Sequence, residues 1–323
     1  MAPGGRVSAA LLIGAGTMGG RHLQGLAKSR VFDAILVVEP NPEARGKAGA
    51  LWREVPEGQG KTLRFLDWPE LAAEPPPAFA LVATTATGRL AILERLLELG
   101  IRHLLIEKIA FQCISDYRRA VRAAATASAQ VRVNLPMRMV PLFQALRQRL
   151  AGQAFAMTVE NGDRGLGCNG LHFFDLFSFI AGSEIDRMEV AIDLPPRPSP
   201  RGGSLIDFTG RAALKARSAA RCDVRFTAGS NRLPAISITA VNFSLTADFA
   251  GDKVSASDPR LLDAAFFMPM ASRIAHQQAE QILAGTSLLP ELADGFALNR
   301  LMLDRYNLAL AGKAADDLVC PIT

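Results

Sequence analysis

Up to about residue 134 the chain alternates short apolar runs with segments in which apolar residues recur at helical spacing. The apolar runs predict strands at 8–13, 34–39, 62–66, 79–83, 103–106 and 131–134, with helices between them at 18–27, 42–52, 91–99 and 116–127. Strands that are apolar throughout and alternate with helices are typical of a parallel sheet covered on both faces. We therefore predict an α/β domain with a doubly wound parallel sheet over residues 1–133, which binds ligands at the carboxyl ends of its strands.

Beyond residue 134 the strands are grouped together instead of alternating with helices. The pattern predicts a helix at 141–150, a strand at 154–160, a glycine-rich loop at 162–170 and an aromatic helix at 171–181. A proline-rich connector at 194–203 precedes a run of strands that ends near residue 249, and two helices follow at 272–283 and 290–310. Grouped strands indicate a second, α+β domain with an open, mostly antiparallel sheet over residues 134–323.

A glycine-rich turn links the first predicted strand to the first helix. Its sequence, Gly14-Ala15-Gly16-Thr17-Met18-Gly19, has the spacing GxGxxG. The first glycine permits a tight turn, the second lets a pyrophosphate approach the backbone, and the third lets helix and strand pack closely. The amides at the helix N-terminus then face the phosphates. We therefore predict that a dinucleotide binds at Gly14, Gly16, Thr17, Met18 and Gly19.

Glu39 ends the second predicted strand, twenty-five residues after Gly14. A carboxylate at this place accepts hydrogen bonds from the hydroxyls of an adenosine ribose and repels a 2′-phosphate. We therefore expect NAD as the cofactor rather than NADP. Arg45, on the following helix, favours the opposite choice, because a guanidinium stabilises a 2′-phosphate.

Two further strands place polar residues at the predicted ligand edge of the sheet. Glu107 and Lys108 follow the strand at 103–106, and Thr84 and Thr85 follow the neighbouring run at 79–83. The chain has seven lysines among its 36 Lys and Arg residues, so a lysine beside a buried strand end is informative. Such a pair is usually solvated surface. The alternative is that Glu107 and Lys108 contact a ligand, with the two threonines beside the cofactor.

The aromatic helix carries a histidine with a carboxylate on the same face. His172 and Asp175 stand three residues apart, and Cys168 lies four residues before His172. An imidazole beside a carboxylate can act as a general acid and base near neutral pH. The alternative is a structural histidine with a capping partner. The other three histidines have no such neighbour in the sequence, and we expect structural roles for His22, His103 and His276.

Composition narrows the classes of function. Hydrophobic residues make up 49% and charged residues 21% of the chain, as in globular proteins. The net charge of +5 is spread without a block of like charges, so we expect no nucleic-acid partner. The four cysteines, at 113, 168, 222 and 320, lack metal-ligand spacing, which indicates a reducing compartment, the cytoplasm, and no metal site. No apolar run reaches the ~18 residues of a spanning helix, so we expect no membrane anchor.

The motifs occur in an order that resembles the glucose-fructose oxidoreductase, inositol dehydrogenase and rhizopine-catabolism (Gfo/Idh/MocA) family. The resemblance spans nearly the whole chain and is most specific in its first half. It rests on GAGTMGGRH at 14–22, Glu39, Thr84-Thr85, Glu107-Lys108, Asn134 with Arg138 and Pro141, and the glycine-rich loop that ends in His172 and Asp175.

This resemblance implies an NAD(P)-dependent oxidoreductase that acts on a sugar, sugar nucleotide or cyclitol. It also implies a Rossmann domain and a second domain whose open sheet forms a homodimer or homotetramer. Lys108 would contact the substrate hydroxyl, and His172 would act as acid and base, with Asp175 orienting its imidazole. The remaining polar groups of the substrate would be bound by Asn134, Arg138, Cys168 and Asn169. The amino-acid sequences at 165–177 and 319–323 resemble those of a branch of this family that acts in the metabolism of surface-polysaccharide sugars.

Two positions depart from the family pattern. The proline of its Glu-Lys-Pro motif is Ile109 here, and the aspartate four residues before its histidine is Cys168. A thiol does not supply the fixed negative charge of a carboxylate. His172 and Lys108 would therefore act as acid and base without a carboxylate at position 168. The departures leave two other functions open: an elimination assisted by transient oxidation with NAD retained, and an NAD-binding sensor or scaffold without catalysis.

Overall fold

A computed structural model describes residues 8–323, so the first seven residues of the predicted first domain lie outside the described part. The described residues form two compact units. The first unit comprises residues up to Phe111 together with Arg118–Asn134 and Met270–Ala293. The second comprises Gln112–Tyr117, Leu135–Pro269 and Asp294–Thr323. The predicted boundary after residue 133 falls where the first sheet ends, but one later segment also belongs to the first unit.

The first unit is built on a parallel sheet. Over the described residues its six strands are β1 (Ala9–Ile13), β2 (Ala34–Val38), β3 (Thr62–Leu66), β4 (Phe79–Val82), β5 (His103–Ile106) and β6 (Gln130–Val133). They lie in the order β3-β2-β1-β4-β5-β6, with all neighbours parallel. Every residue of β2 and β4 is buried, which explains their uninterrupted apolar sequences. The predicted doubly wound α/β class is confirmed.

Helices follow the strands of this sheet. They are α1 (Thr17–Leu26), α2 (Pro42–Arg53), α3 (Trp68–Ala73), α4 (Arg89–Glu98) and α5 (Ile114–Thr126). The prediction missed α3, although its sequence carries a start signal. Asp67 accepts a hydrogen bond from the Glu70 amide at 2.8 Å, and Glu70 accepts one from the Asp67 amide at 2.7 Å, which is a capping box.

The second unit contains a mixed sheet of seven described strands and a separate two-stranded ribbon. The sheet consists of β7 (Ala156–Asn161), β8 (Ile185–Ile192), β11 (Gly210–Ala216), β12 (Arg221–Phe226), β13 (Ala235–Ala240), β14 (Phe243–Asp248) and β15 (Lys253–Ala256), and the ribbon of β9 (Arg197–Pro198) and β10 (Ile206–Asp207). The sheet order is β15-β14-β13-β7-β12-β11-β8, and all neighbours are antiparallel except β7 and β12. The predicted, mostly antiparallel sheet is confirmed.

Three helices of the second unit are α6 (Pro141–Leu150), α7 (Leu166–Ala181) and α9 (Phe296–Ala311), while α8 (Ala271–Leu283) packs on α1 in the first unit. Short 3₁₀ turns lie at Pro56–Gly58, Pro136–Met139 and Pro259–Leu261. Helix α7 is almost wholly buried and packs on β11 and β12. It begins five residues before the predicted start at 171, so the predicted glycine-rich loop at 162–170 is wrong over its second half.

The helix predicted at 290–310 is also wrong at its start. The Val133 amide donates to the Pro290 carbonyl at 3.0 Å, and the Leu292 amide donates to the Val131 carbonyl at 2.9 Å. These residues pair with the otherwise open side of β6, because an edge strand leaves backbone groups that need partners. The helix therefore begins only at Phe296. Strand β8 was not predicted, and the strands continue to Ala256 instead of ending near residue 249.

Within residues 8–323, no helix is long and apolar enough to cross a bilayer. Over the same residues, no group of three or more His, Cys, Asp or Glu side chains is arranged to hold a metal ion. The four cysteines are buried and form no disulfide.

Candidate active site

The glycine-rich turn joins β1 to α1 at the carboxyl end of the first sheet. Gly14 has a φ of +85°, in the region that L side chains rarely adopt. A Cβ atom on Gly19 would lie 2.0 Å from the Gly14 carbonyl oxygen, so α1 can begin this close to the turn only with glycine there. A Cβ atom on Gly16 would meet no protein atom within 4 Å. This open space beside the amides of α1 fits a pyrophosphate.

Glu39 lies directly after β2 and is 8% exposed. Its Oε2 accepts a hydrogen bond from the Ala15 amide at 2.7 Å, and its Oε1 accepts one from the Asn41 amide at 2.8 Å. The carboxylate is thereby fixed against the glycine-rich turn, where an adenosine ribose would lie. Arg45 donates from Nε to the Glu39 carbonyl oxygen. A cavity of about 460 Å³ opens here, lined by residues that include Ala15, Gly16, Thr17, Asn41 and Lys47.

Thr84 and Thr85 follow β4 at the same edge of the sheet. Thr85 is exposed, and the Thr84 Oγ1 atom is buried without a hydrogen-bond partner in the described structure. A buried hydroxyl of this kind ordinarily has a partner. Together with the glycine-rich turn and Glu39, this hydroxyl fits the polar groups of NAD.

Glu107, directly after β5, is the centre of a buried hydrogen-bond network. The His22 Nε2 atom lies 2.6 Å from Glu107 Oε1, and Asn134 donates from Nδ2 to the same oxygen at 2.6 Å. Gln278 in turn donates to Asn134 Oδ1 at 2.8 Å. The partner of His22 is 85 residues away in the sequence, so no local pattern indicated this contact. The structure also places Asn134, predicted to bind substrate, between two protein partners.

The environment of Glu107 fixes its charge. Burial by itself would raise the pKa of this carboxyl group, because the anion loses its hydration. The hydrogen bond and charge of His22, the charge of Lys108 and the hydrogen bond from Asn134 outweigh burial and hold the pKa at about 2. Glu107 is therefore an anion at neutral pH beside Lys108, which is itself 7% exposed.

Arg89, at the start of α4, holds the turn that carries Lys108. It is 1% exposed, and its guanidinium donates to the Glu107 carbonyl at 2.6 Å and the Ala110 carbonyl at 3.1 Å. It also donates to the carbonyl oxygens of Thr84 and Ile109. The Lys108–Ile109 peptide bond is cis. Arg89 was not predicted, and its only sequence signal is a charged residue shortly after Thr84 and Thr85.

The second unit contains a cavity of about 690 Å³. Its polar lining comprises Asn161, Asp163, Arg164, Asn169, His172, Arg197 and Asp207. Its apolar lining comprises Phe173, Leu233, the methionines Met137 and Met268, and the prolines Pro136, Pro198, Pro200, Pro234 and Pro269. The predicted residues His172 and Asn169 thus open into one cavity. Asp163 and Arg164, in the predicted glycine-rich loop, were not predicted as lining residues, and neither were Arg197 and Asp207, which are far from His172 in the sequence.

Cys168 lies in the first turn of α7 and is 8% exposed. Its Sγ atom is 2.9 Å from Nη1 of Arg201, and its amide donates to Asp207 Oδ1 at 3.2 Å. The early start of α7 puts Cys168 one turn before His172 on a continuous helix, as their spacing predicted. The thiol is packed among protein groups and is not part of the cavity lining.

Asp175 forms a bidentate ion pair with Arg138. Arg138 donates from Nε to Asp175 Oδ2 at 2.8 Å and from Nη2 to Oδ1 at 2.6 Å. Burial raises the pKa of Asp175, and the charge and hydrogen bonds of Arg138 oppose this effect. Sequence spacing paired Asp175 with His172, but its bidentate partner is Arg138. Asp175, which was predicted to be catalytic, and Arg138, which was predicted to bind substrate, are therefore ion-pair partners.

Comparison with known proteins gives one sequence match and many structural ones. Residues 9–135 match the Gfo/Idh/MocA oxidoreductase family, which has an NAD-binding Rossmann fold. No curated protein matches the sequence. An oxidoreductase domain protein from Kribbella flavida has a similar structure, with 19% identity, 95% of this chain and 98% of that chain covered, and a TM-score of 0.74.

Two further similar structures contain bound small molecules. An oxidoreductase from Agrobacterium radiobacter, in complex with NAD⁺, L-tartaric acid and magnesium, is 17% identical, with 96% of this chain and 98% of that chain covered and a TM-score of 0.71. Scyllo-inositol dehydrogenase from Lactobacillus casei, with bound NAD(H) and scyllo-inositol, is 13% identical, with 95% and 98% covered and a TM-score of 0.68.

At such low identities, these similarities show the fold alone. The family match adds specificity, because its residues include the glycine-rich turn, Glu39, Thr84 and the Glu107-Lys108 strand end. These are the residues whose geometry fits a dinucleotide. Residues 9–135 are therefore similar to the NAD-binding Rossmann domain of the Gfo/Idh/MocA oxidoreductases.

Proposed function

We propose that this protein is an NAD-dependent dehydrogenase that moves a hydride between nicotinamide and a carbinol carbon of a sugar, sugar nucleotide or cyclitol. The observation that carries the proposal is the cavity that contains His172. Its lining combines hydrogen-bonding side chains, such as Asn161 and Asn169, with an apolar wall. Such a lining suits a ring with many hydroxyl groups and apolar C–H faces. Two proteins of similar fold were crystallised with polyhydroxylated molecules, L-tartaric acid and scyllo-inositol.

The first unit would hold the cofactor. The turn from Gly14 to Gly19 would face the pyrophosphate, and Glu39 would accept hydrogen bonds from the ribose hydroxyls and disfavour a 2′-phosphate. NAD, when bound, supplies the hydride acceptor at its nicotinamide ring. Lys108 would donate a hydrogen bond to the reacting hydroxyl, with the anionic Glu107 beside it.

In the oxidative direction the reacting hydroxyl loses its proton and the carbinol C–H bond breaks. The electron pair of that bond leaves with the hydrogen as hydride, and a carbonyl group forms. His172 would accept the hydroxyl proton, since a neutral imidazole is a suitable base near neutral pH. Asn169 would bind a further hydroxyl of the ring, and Arg164 would suit an acidic substituent or the phosphates of a sugar nucleotide.

The test is NADH formation by the purified protein with a panel of hexoses, hexuronic acids, inositols and sugar nucleotides, including those used for surface polysaccharides. We expect NADH with at least one class. Lys108→Ala and His172→Ala should each lower turnover about a hundredfold or more, which is the usual effect of losing a positioned proton-transfer group. Lys215→Ala, at an exposed position on β11, is the matched control and should leave turnover unchanged.

The other outcomes identify the alternatives. Conversion of a substrate without net NADH would indicate an elimination with retained NAD. Binding of NAD without conversion of any compound would indicate a sensor or scaffold. Full turnover in Lys108→Ala or His172→Ala would remove the residue concerned from the mechanism.

We also propose that the protein is a homodimer or homotetramer that associates through the open sheet of the second unit. The outward residues of β13 and β14 are small and polar, and they are exposed: Ser237, Thr239, Ser244 and Thr246. Val241, in the turn between these strands, is 88% exposed. Light scattering coupled to size exclusion should give two or four times 34.6 kDa. A mass of one chain would contradict this proposal.

A further inference from the structure

The first turn of α7 is in contact with a buried carboxylate from another element. Asp207, at the end of β10, is 7% exposed. Its Oδ1 atom accepts hydrogen bonds from the amides of Cys168 at 3.2 Å and Phe208 at 2.9 Å. Asp207 also lines the cavity that contains His172. The carboxylate is therefore held at the wall of the proposed substrate cavity.

Two glycines make room for this carboxylate. A Cβ atom on Gly165 would lie 1.7 Å from Asp207 Oδ2, and a Cβ atom on Gly167 would lie 2.9 Å from Oδ1. Any larger residue at either position would push the carboxylate away from the helix. Gly165 and Gly167, in the segment predicted as a loop, thus leave the space that the Asp207 side chain occupies.

His172 is directed toward this carboxylate by helix geometry. It stands four residues after Cys168, on the same face of α7. Side chains on a helix lean toward the N-terminus and cover the preceding turn. The imidazole therefore leans over the turn at which Asp207 is bound, and both side chains open into the same cavity.

Several charged groups surround this pair in the described part of the second unit. Asp163 and Arg164 precede α7, and Arg197 on β9 is the register partner of Asp207 in the ribbon. Arg197 also forms an ion pair with Asp163. Further away, Arg201 contacts Cys168, and Arg138 pairs with Asp175. Tyr306 on α9 donates to the Leu166 carbonyl at 3.0 Å, and burial raises its pKa with a contribution from the charge of Asp207.

We propose that Asp207 is the positioning residue of His172: its negative charge stabilises the protonated imidazole that forms when His172 accepts the substrate proton. Asp207 thereby brings a carboxylate to the turn at which Cys168 cannot supply one. The inference rests on the proposed function of His172 as the proton acceptor.

The direct test is an NMR titration of the imidazoles in the wild-type protein and in Asp207→Asn. The chain has four histidines, and His172→Ala assigns the signal of interest. Asparagine keeps an oxygen that can accept from the Cys168 and Phe208 amides, so the helix start should survive. We expect the midpoint of His172 to fall by about half a unit to one unit, the scale of losing an opposite charge several ångströms away. Asp223→Asn, at a half-buried position on β12, should leave it unchanged.

The pH dependence of turnover provides the second readout. His172 must be neutral to accept a proton, so the acidic limb of the profile should move to lower pH in Asp207→Asn by the same amount. An unchanged His172 midpoint would overturn the inference, and Asp207 would then be only a helix cap. The His172 midpoint could also shift in Asp207→Asn while His172→Ala keeps full turnover. That result would uphold the electrostatic coupling but refute the proposed function. The two failures are therefore distinguishable.

Discussion

The Nε2 atom of His22 lies 2.6 Å from Oε1 of Glu107, and the His22 side chain is completely buried. The contact connects α1, which follows the glycine-rich turn, to the strand end that carries Lys108. Asn134 donates to the same carboxylate oxygen. The helix that follows the glycine-rich turn and the strand end that carries Lys108 are thus joined by one network within the first unit.

The first prediction concerns stability in acid. The pKa of Glu107 is about 2 in the folded chain and near 4.5 when it is unperturbed, so the unfolded chain takes up the proton first as the pH falls. The ionised carboxylate therefore stabilises the fold above about pH 4.5, by about 3 kcal/mol, and this contribution is lost as the pH falls toward 2. Chemical unfolding at several pH values measures it.

Glu107→Gln is the variant that isolates this contribution. This variant has no carboxylate at position 107 to stabilise the fold. The difference in free energy of unfolding between wild type and variant should therefore shrink by about 2 kcal/mol between about pH 6 and about pH 3. Other carboxyl groups titrate equally in both proteins. A difference that stays constant with pH would show that Glu107 is not held ionised by its neighbours.

Arg89 is predicted to position Lys108. Arg89→Met removes the donor to three carbonyl groups of the turn at 107–110 and to the Thr84 carbonyl. We expect a loss of about 3 to 5 kcal/mol in stability and a fall in turnover larger than any loss of NAD affinity. Thermal unfolding, NAD titration and steady-state kinetics give the three values.

Two variants serve as references for Arg89→Met. Arg89→Lys keeps the charge without the forked donors, so it should recover only part of the turnover. Arg95→Met, on the exposed side of the same helix, should cost no more than about 1 kcal/mol. Normal turnover in Arg89→Met would show that Lys108 is positioned without this guanidinium.

Cofactor choice is predicted to depend on Glu39. Wild-type protein should bind NAD at least tenfold more tightly than NADP, because a 2′-phosphate beside this carboxylate costs more than the ~1.4 kcal/mol of a tenfold ratio. Glu39→Gln should bring the two affinities closer together. Calorimetric titration measures both. Equal or tighter binding of NADP by the wild type would mean that the charge of Arg45 outweighs that of Glu39.

Cys168→Asp restores the carboxylate that the family pattern has at this position. The added negative charge should move the acidic limb of the pH–activity profile upward, because it stabilises protonated His172. Arg201, 2.9 Å from the present thiol, would pair with the new carboxylate and reduce the shift. Cys168→Ser is the uncharged control and should leave the limb in place. No difference between the two variants would exclude coupling from position 168 to His172.

The fold of the first unit could be predicted from sequence almost completely. Strands buried on both faces are apolar along their whole length, so β1 to β6 were each placed within one residue of their bounds. Strand β8 escaped prediction because only Met188 within it is buried and polar residues interrupt its first half. The helix at 290–310 was placed too early because pairing with β6, a tertiary contact, overrides local helical periodicity there.

Sequence patterns indicated some residues of the candidate site but not their long-range partners. The turn at 14–19, Glu39, Lys108 and His172 carry local signals, namely glycine spacing, strand ends and helix faces. The pairs His22–Glu107 and Cys168–Asp207 join residues 85 and 39 positions apart, which no local pattern reveals. Arg138 and Asp175 form a further such pair, 37 positions apart.

The central claim is hydride transfer from a carbinol carbon, and isotope transfer tests it most directly. The protein would be incubated with NAD and carbon-deuterated hexoses, hexuronic acids and inositols, and the nicotinamide product analysed by mass spectrometry. The account predicts NADH that carries one deuterium, in amounts that fall about a hundredfold in His172→Ala. Unlabelled NAD recovered after complete conversion of a substrate, or no conversion of any compound by a protein that binds NAD, would contradict it.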